Sequence, residues 1–507
     1  MKFKRTRQGV ICTLAIAISM QVYLLYRLES EENHCVVVHS IFSCTVPRRP
    51  IVIIAMSRND ENRYRGGIQI AMDTFSRLGF GIHISYEETK PDHCDILWSH
   101  TYPFQHDKIV QLFTNPKHNV KINHFPGIFC ICNKLFLSTA SPTSKYIPTT
   151  FKMPDDRKKF RDEVLNKTKN GKNEQVWVEK KTLHRNVTIK DAHEIDLDGK
   201  GIIQKFIHNQ FLLHGHVISL GVMVIITSVS PLRAYTLDNG WMVRIANKPY
   251  HPVNYSDFET FISNSRSTSL YEFEPMRRFF DNTGYSRRQA LFAHLLSDLG
   301  IEQSKVQSIR EQVFDAVQDV VYNRRDILNT LGNVKIRIGK DTSFFEVMRW
   351  DFIIDENMKV YLIEANMSPD LLSSHFLIRA KNYNVIFNSI TTIGYRYGSR
   401  NNNGIRDTDI NVDSKVCFTE SCQDCMLKDC LLCSKCLDRS VEIKQMLRTS
   451  YMEHVNRLAL RRLYPKPMIQ DMVHKRLQEQ NFRNISRELI NEAWITAKCV
   501  KDEYWCM

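Results

Sequence analysis

The sequence predicts a mixed α/β (α+β) chain of several packed units, and three observations carry that expectation. At 507 residues it is too long for one compact core. Short apolar runs bounded by turn residues alternate with helical-period segments in the first part of the chain, then give way to longer strand-like runs. A cysteine cluster and a helical-period tail close it. With 43% hydrophobic and 24% charged residues, the composition is that of a globular protein. The formal net charge of +14 favours an acidic partner. No zinc-finger spacing of the nucleic-acid type and no RNA-recognition signature occurs, so no nucleic acid partner is expected.

The elements follow in order. Residues 1–7 are a basic flank with Lys2, Lys4, Arg5 and Arg7, and an uncharged run follows over 8–26. That run can just cross a bilayer core, which takes roughly 20 apolar residues and at the least about 17. With the basic side cytosolic and no small-x-small cleavage site after the run, it reads as a signal anchor of a single-pass type II membrane protein. Residues 27–49 would then be a stem, with the body on the lumenal side of the ER, the Golgi or the cell surface. A cleaved signal peptide and an apolar leader on a cytosolic protein are the alternatives.

Residues 50–140 read as an N-terminal α/β unit: the strand in "RRPIVIIAMSRND", the helix in "GGIQIAMDTFSRLGF" with Ile68, Ile70, Ala71, Phe75 and Leu78 apolar, and the strand in "CDILWSH". Residues 141–260 form a central unit. It opens on the Pro-punctuated "SPTSKYIPTTFKMPDD" and a charged helix reaching about residue 170. The strands "EQVWVEKK" and "GIIQKFI" follow, then a β-meander turning at Asp238-Asn239-Gly240. Residues 261–397 hold helices, including "SKVQSIREQVFDAVQDVVYN", and a hairpin turning near Asp355–Met358. Residues 398–440 combine an Asn-rich linker with a Cys-rich segment, and 441–507 are a helical tail. In the tail Ile443, Leu447, Tyr451, Val455 and Leu458 recur at helical spacing and suggest a docking face against the body.

Six cysteines lie at 417, 422, 425, 430, 433 and 436, and Cys35 and Cys44 are spaced for a short disulfide loop. In an oxidising compartment the six read as a disulfide knot, and in the cytosol as a zinc site. The cluster holds no histidine, and with an anchor the disulfide reading is preferred. Five N-x-[ST] sequons, at Asn166, Asn186, Asn254, Asn366 and Asn484, would make the chain a glycoprotein if it is lumenal.

Chemistry concentrates in "YLIEANMSPD" (361–370), where an apolar run ends on Glu364 and Asn366. If Ile354 pairs with Lys359, Asp351 faces Leu362 and lies diagonal to Glu364, roughly 7–8 Å away at the backbone. Asp351, Glu364 and Asn366 then share one face, a hard-oxygen set suited to Mg²⁺ with substrate phosphates. A solvated hairpin rim is the plain alternative.

The stretch "FFEVMRWDFIIDENMKVYLIEANMSPDL" resembles the C-terminal motif of the tubulin tyrosine ligase-like family, ATP-grasp enzymes that join amino acids to proteins. "INHFPGIFCICNKLFLS" resembles the family's N-terminal lysine motif, and "YIPTTFKMPDD" its Pro-rich approach to the central unit. "IIQKFIHNQFLLHGHVISLGVMVIITSVSPLRAYTLDNGWMVRIA" resembles its central sheet, and "FISNS" its later threonine-asparagine element. These motifs run in order over about 50–400.

The resemblance implies an ATP-grasp-like three-unit ligase body with ATP and Mg²⁺ as cofactors. Asp351, Glu364 and Asn366 would hold magnesium, Lys134 and Lys180 would contact ATP phosphates, Gln204 would sit at the adenine hinge, and Arg244 beside the reacting centre. It further implies a polyglutamylase-type activity that adds glutamate to tubulin or another acidic protein acceptor, with a cytoplasmic, microtubule-associated location if that substrate is retained. The chain departs from the pattern at two places. "KKTLHRNVTI" replaces a glycine-rich phosphate loop, and "GHVISLG" places Val217, Ser219 and Gly221 where the family has lysine, aspartate and arginine. His184, Arg185 and His216 are candidate substitutes. The alternative these losses imply is a catalytically impaired, membrane-anchored relative acting as a binding protein in the secretory pathway.

Overall fold

The computed structural model describes residues 36–38, 41–43, 49–56, 58–85, 94–105, 120–139, 144–166, 175–181, 187–238, 241–261, 267–269, 272–276, 296, 299–335, 343–373, 376–396, 399–400, 405–480 and 485–507. The run 8–26, Cys35 and Cys44, the replaced phosphate loop with His184 and Arg185, residues 262–265 of "FISNS", and the sequons at Asn186 and Asn484 lie outside them.

The first unit is a parallel sheet. Strands β1 (Ile51–Ala55), β2 (Gly81–Ser85), β3 (Ile96–Ser99) and β4 (Lys121–Ile122) are ordered β4-β3-β1-β2, with helix α1 (Arg58–Arg77) crossing from β1 to β2. β1 carries apolar residues on both faces because both are covered, as parallel strands require. Two short helices, α2 (Phe129–Cys132) and α3 (Lys134–Ser138), lead out of it.

A second, antiparallel sheet is ordered β5-β8-β6-β7, from β5 (Thr150–Met153), β6 (Val176–Lys181), β7 (Val187–Asp191) and β8 (Gly201–Lys205). The largest sheet is built around β9 (His216–Val229). One edge of β9 pairs first with β11 (Met242–Ala246) and then with β10 (Leu232–Leu237). β10 and β11 flank the expected 238–240 turn but are not hairpin partners, because each pairs with a different stretch of the same edge of β9.

The other edge of β9 pairs with a strand reached through the long helix α4 (Gln303–Lys335) and a short strand β12 (Ser343–Phe344), which joins the first sheet in parallel beside β4. That strand is β13 (Glu346–Ile354), and it pairs in turn with β14 (Val360–Met367). Val222, Val224, Met348, Trp350 and Phe352 bury one face of this sheet against α4. On the other face Met223, Ile225 and Val347 pack toward α1 and α5 (Phe376–Thr392), and the upper part of that face carries the site.

The tail follows as α6 (Val441–Asn456), β15 (Leu460–Tyr464), α7 (Gln470–Glu479) and α8 (Arg487–Lys501). The expected docking stripe of α6 turns inward. Ile443, Leu447 and Tyr451 pack within the tail around Trp494 and Trp505, and Val455 and Leu458 are exposed. Contact with the body is made by other residues of α6, which packs against α5 and carries Glu453, and by β15, which extends the large sheet beside β10. The Glu453 carboxylate accepts from Arg233 Nε (2.8 Å) and Nη2 (3.1 Å), Thr227 Oγ1 (2.7 Å) and Tyr235 Oη (3.1 Å).

The six clustered cysteines pair as Cys417–Cys433, Cys422–Cys430 and Cys425–Cys436, and a fourth bridge joins Cys499 to Cys506. Their sulfurs are thereby withdrawn from zinc. The type II membrane location is corrected: among the described residues no helix is long and apolar enough to cross a membrane. The membrane-anchored binding role that rested on it loses its support.

Candidate nucleotide and phosphate site

The register of the β13–β14 hairpin decides the site. Ile354 pairs with Val360, one residue beyond the expected partner, and a bulge at Ile363 moves the register again. Asp351 therefore stands directly opposite Glu364, rather than opposite Leu362, and Arg349 stands opposite Asn366. A bulge re-aims the side chains that follow it. Here it brings into one cross-strand pair two carboxylates that a regular ladder from Ile354–Val360 would put on opposite faces. β9 sets Gly221 beside Asp351, and Ser219 beside Arg244 of β11. Seven side-chain positions (219, 221, 244, 349, 351, 364 and 366) thus share one face.

Asp351 is the hub. Arg349 grips it as a fork, Nε to Oδ1 at 2.9 Å and Nη2 to Oδ2 at 3.1 Å. Arg244 Nη2 lies 3.1 Å from Oδ2, and the Asn366 amide nitrogen donates to the same oxygen at 3.1 Å. Lys134 reaches in from the start of α3, its Nζ 3.9 Å from Glu364 Oε1. The side chain of Asn133 caps that short helix by accepting from Leu135 N–H, which fixes where Lys134 departs.

Lys180 arrives from the second sheet. Its buried Nζ donates to Gln204 Oε1 at 2.8 Å, and Gln204 Nε2 donates to Thr150 Oγ1 at 3.0 Å. Burial first, and then the positive charge of Lys134, lower the Lys180 pKa to about 8, with Glu364 opposing. All seven residues singled out in the sequence are therefore brought to one place. Lys180 and Gln204 form one arm and the face around Asp351 the other.

Among the described residues, two groups on this face lack partners. Ser219 Oγ and Arg244 Nε are buried and make no hydrogen bond. Buried donors without acceptors are costly, which points to an acceptor that arrives from outside. The charge count agrees. Lys134, Lys180, Arg244 and Arg349 face the two carboxylates Asp351 and Glu364, with the exposed Asp370 a weaker negative near Arg349.

Sequence reasoning missed Arg349, although a lone arginine two residues before Asp351 in an otherwise apolar strand is a legible signal. It also missed the pair beneath the site. Buried His124 sits with Nδ1 2.7 Å from Glu346 Oε1, and its Nε2 donates to the Ser99 carbonyl at 2.9 Å. Glu346 Oε2 accepts from Phe125 N–H at 3.1 Å, and burial pushes the Glu346 carboxyl up. Ser368, at the end of β14, lies 3.2 Å from His124 Nε2. This pair ties the parallel sheet to β13, which presents Arg349 and Asp351, and through Ser368 to the end of β14.

An α+β body in which a cation-rich sheet face meets a lysine from a second antiparallel sheet has the ATP-grasp-like layout expected of a ligase. Residues 113–397, more than half of the chain, match the Tubulin-tyrosine ligase family, and the chain belongs to it. It is similar to "Probable tubulin polyglutamylase ttll-15" of Caenorhabditis elegans, 26% identical over 478 residues that cover 90% of this chain and 87% of that protein. It is 27% identical to "Tubulin monoglutamylase TTLL4" of Mus musculus over 278 residues, 52% of this chain and 22% of that one. With "Tubulin polyglutamylase TTLL7" of Xenopus tropicalis it shares 24% over 330 residues, 59% of this chain and 34% of that one. The chain spans most of the first relative and no more than about a third of the other two.

Proposed function

We propose that this cluster binds the triphosphate of ATP, and that the chain is a tubulin polyglutamylase-like ligase joining glutamate to tubulin or a similarly acidic acceptor. The observation that carries the reading is the pair of buried unpaired donors, Ser219 Oγ and Arg244 Nε, amid an excess of cationic side chains. The relatives' names support glutamate and tubulin, and the net charge of +14 suits an acidic tail.

In the proposed reaction a carboxylate oxygen attacks the γ-phosphorus and the bond to the β-phosphate bridging oxygen breaks, releasing ADP and leaving an acyl phosphate. An amine then attacks the acyl carbon, the C–N bond forms, phosphate leaves with the C–O bond pair, and the amine loses a proton. Lys134 and Lys180 hold phosphate oxygens, and Arg244 faces the charge that builds at the transferred group. Gln204 orients Lys180. Val217 and Gly221 contribute no charge, so the arginines of the neighbouring strands carry that part of the load.

A divalent cation, when bound, would offset the charge of the phosphates. Glu364, paired with Lys134 at the long distance of 3.9 Å, and the amide oxygen of Asn366 fit it as donors. Asp351 fits less well, because Arg349 forks both of its oxygens and Arg244 and Asn366 crowd Oδ2, which leaves one acceptor direction on Oδ1.

Calorimetric titration of ATP into the full chain, together with transfer of labelled glutamate to tubulin, tests the reading. Binding that Lys180→Met weakens, with label in the tubulin band, is expected. Folded protein that binds no ATP at millimolar concentration overturns it.

A further inference from the structure

In the reading of the cluster as a triphosphate site Arg349 supplies only general charge, and its surroundings suggest a more specific role. Gly221 lies in the middle of β9 beneath it. A Cβ there would stand 3.2 Å from Arg349 Cδ, 3.4 Å from Asp351 Oδ1 and 3.4 Å from Met242 Cβ. The absence of a side chain at 221 is therefore what lets the arginine lie flat across the strand and fork Asp351. Once there, the guanidinium occupies both oxygens of a carboxylate that would otherwise be a hard-metal donor. Arg244 and the Asn366 amide fill the remaining capacity of Oδ2.

A guanidinium that uses one edge on a carboxylate still has N–H donors to offer, since it carries five. Arg349 uses Nε and Nη2 on Asp351, and Arg244 beside it keeps Nε unpaired, with Ser219 Oγ next to it. Together these groups make a fixed cationic surface built on Asp351, where a bound metal would present a mobile one.

We propose that Arg349, seated over Gly221, takes the place of a divalent cation at Asp351 and binds the nucleotide's phosphate directly, so that triphosphate binding depends only weakly on metal. The inference rests on the triphosphate reading of the site but can fail separately from it. One metal position, at Glu364 and Asn366, remains open, so a residual response to Mg²⁺ belongs to the proposal.

The experiment is titration of the full chain with ATP, once in Mg²⁺ and once in EDTA, for the wild type, Arg349→Gln and Arg349→Lys. Glutamine keeps much of the side-chain volume over Gly221 and removes the charge. Lysine keeps the charge and cannot fork Asp351. Wild-type affinity in EDTA should lie within about tenfold of that in Mg²⁺. Arg349→Gln should lose a further ten- to hundredfold, on the order of one or two charge-assisted hydrogen bonds, in EDTA and less in Mg²⁺. Arg349→Lys should fall between them.

Wild-type binding confined to Mg²⁺, and unchanged in Arg349→Gln, overturns the role of Arg349 and leaves the triphosphate reading standing. Folded wild type that binds ATP in neither condition overturns both. If melting curves show Arg349→Gln to be unfolded, the wild-type comparison together with Arg349→Lys decides the matter.

Discussion

Lys180 should make nucleotide binding fall as the pH rises through about 8. The perturbation is pH itself, set against Lys180→Arg and Lys180→Met. The Nζ is buried and bonded to Gln204, and burial together with the neighbouring Lys134 brings its pKa to about 8. An amine is charged below its pKa, so the cation that a phosphate needs is present at pH 7 and mostly lost at pH 9. If the bound phosphate keeps the proton on Lys180, the charged fraction of the free protein sets the cost. That fraction falls from about nine-tenths to about one-tenth, a loss of about tenfold in affinity or about 1.4 kcal/mol. Arginine stays charged throughout, so Lys180→Arg should flatten the profile, whereas Lys180→Met should be weak and flat. Calorimetric titration with ATP at pH 7, 8 and 9, with melting curves at each pH, measures this. Wild-type affinity constant across the range, or a Lys180→Arg profile that falls as the wild type does, would refute the reasoning.

Three further outcomes are expected. Glu364→Gln should reduce ATP affinity in Mg²⁺ by about tenfold and cause no loss in EDTA, where removing the carboxylate only releases Lys134; equal losses in both buffers would argue against Glu364 as a metal donor. Glu453→Ala should destabilise the chain by about 3–5 kcal/mol, because it strands buried Arg233 without its counter-charge, and denaturant unfolding followed by tryptophan fluorescence reads it. His454, stacked on Trp505 and accepting from Arg462 at Nδ1, has its pKa lowered to about 2 by burial, with Arg457 and Arg462 adding to the effect. It stays neutral in the fold while the unfolded histidine protonates, so stability should fall as the pH drops below about 6.5, by at most about 1.4 kcal/mol per unit. His454→Asn, which keeps an acceptor toward Arg462, should flatten that acid limb in a series of melting curves, and an unchanged limb would count against it.

Much of the candidate site was legible because its residues sit in patterned strands. Alternation around Asp351 and the apolar run before Glu364 place both carboxylates on one strand face, and the motif order supplies Lys134, Lys180, Gln204 and Arg244. Arg349 escaped because a charged residue within a strand reads as surface unless its partner is known, and its partner, Asp351, was assigned to a metal. His124 and Glu346 are 222 residues apart, and no local pattern joins them. The tail stripe misled for a related reason. Periodicity identifies which side of α6 is apolar but does not say what covers it, and Trp494 and Trp505 of the same tail do so.

By itself, then, the sequence determined the kind of most elements and the set of groups available for chemistry, because these follow from local periods of two and 3.6 residues, while the strand β15 in a tail that reads as helical escaped it. Tertiary structure alone decided which of the 15 pairings open to six cysteines is made. It also decided that a bulge at Ile363 sets Asp351 against Glu364, and that the room left by Gly221 is filled by a guanidinium. Register, disulfide partner and counter-ion are distances through space, and a chain's local pattern holds no record of them until it has folded.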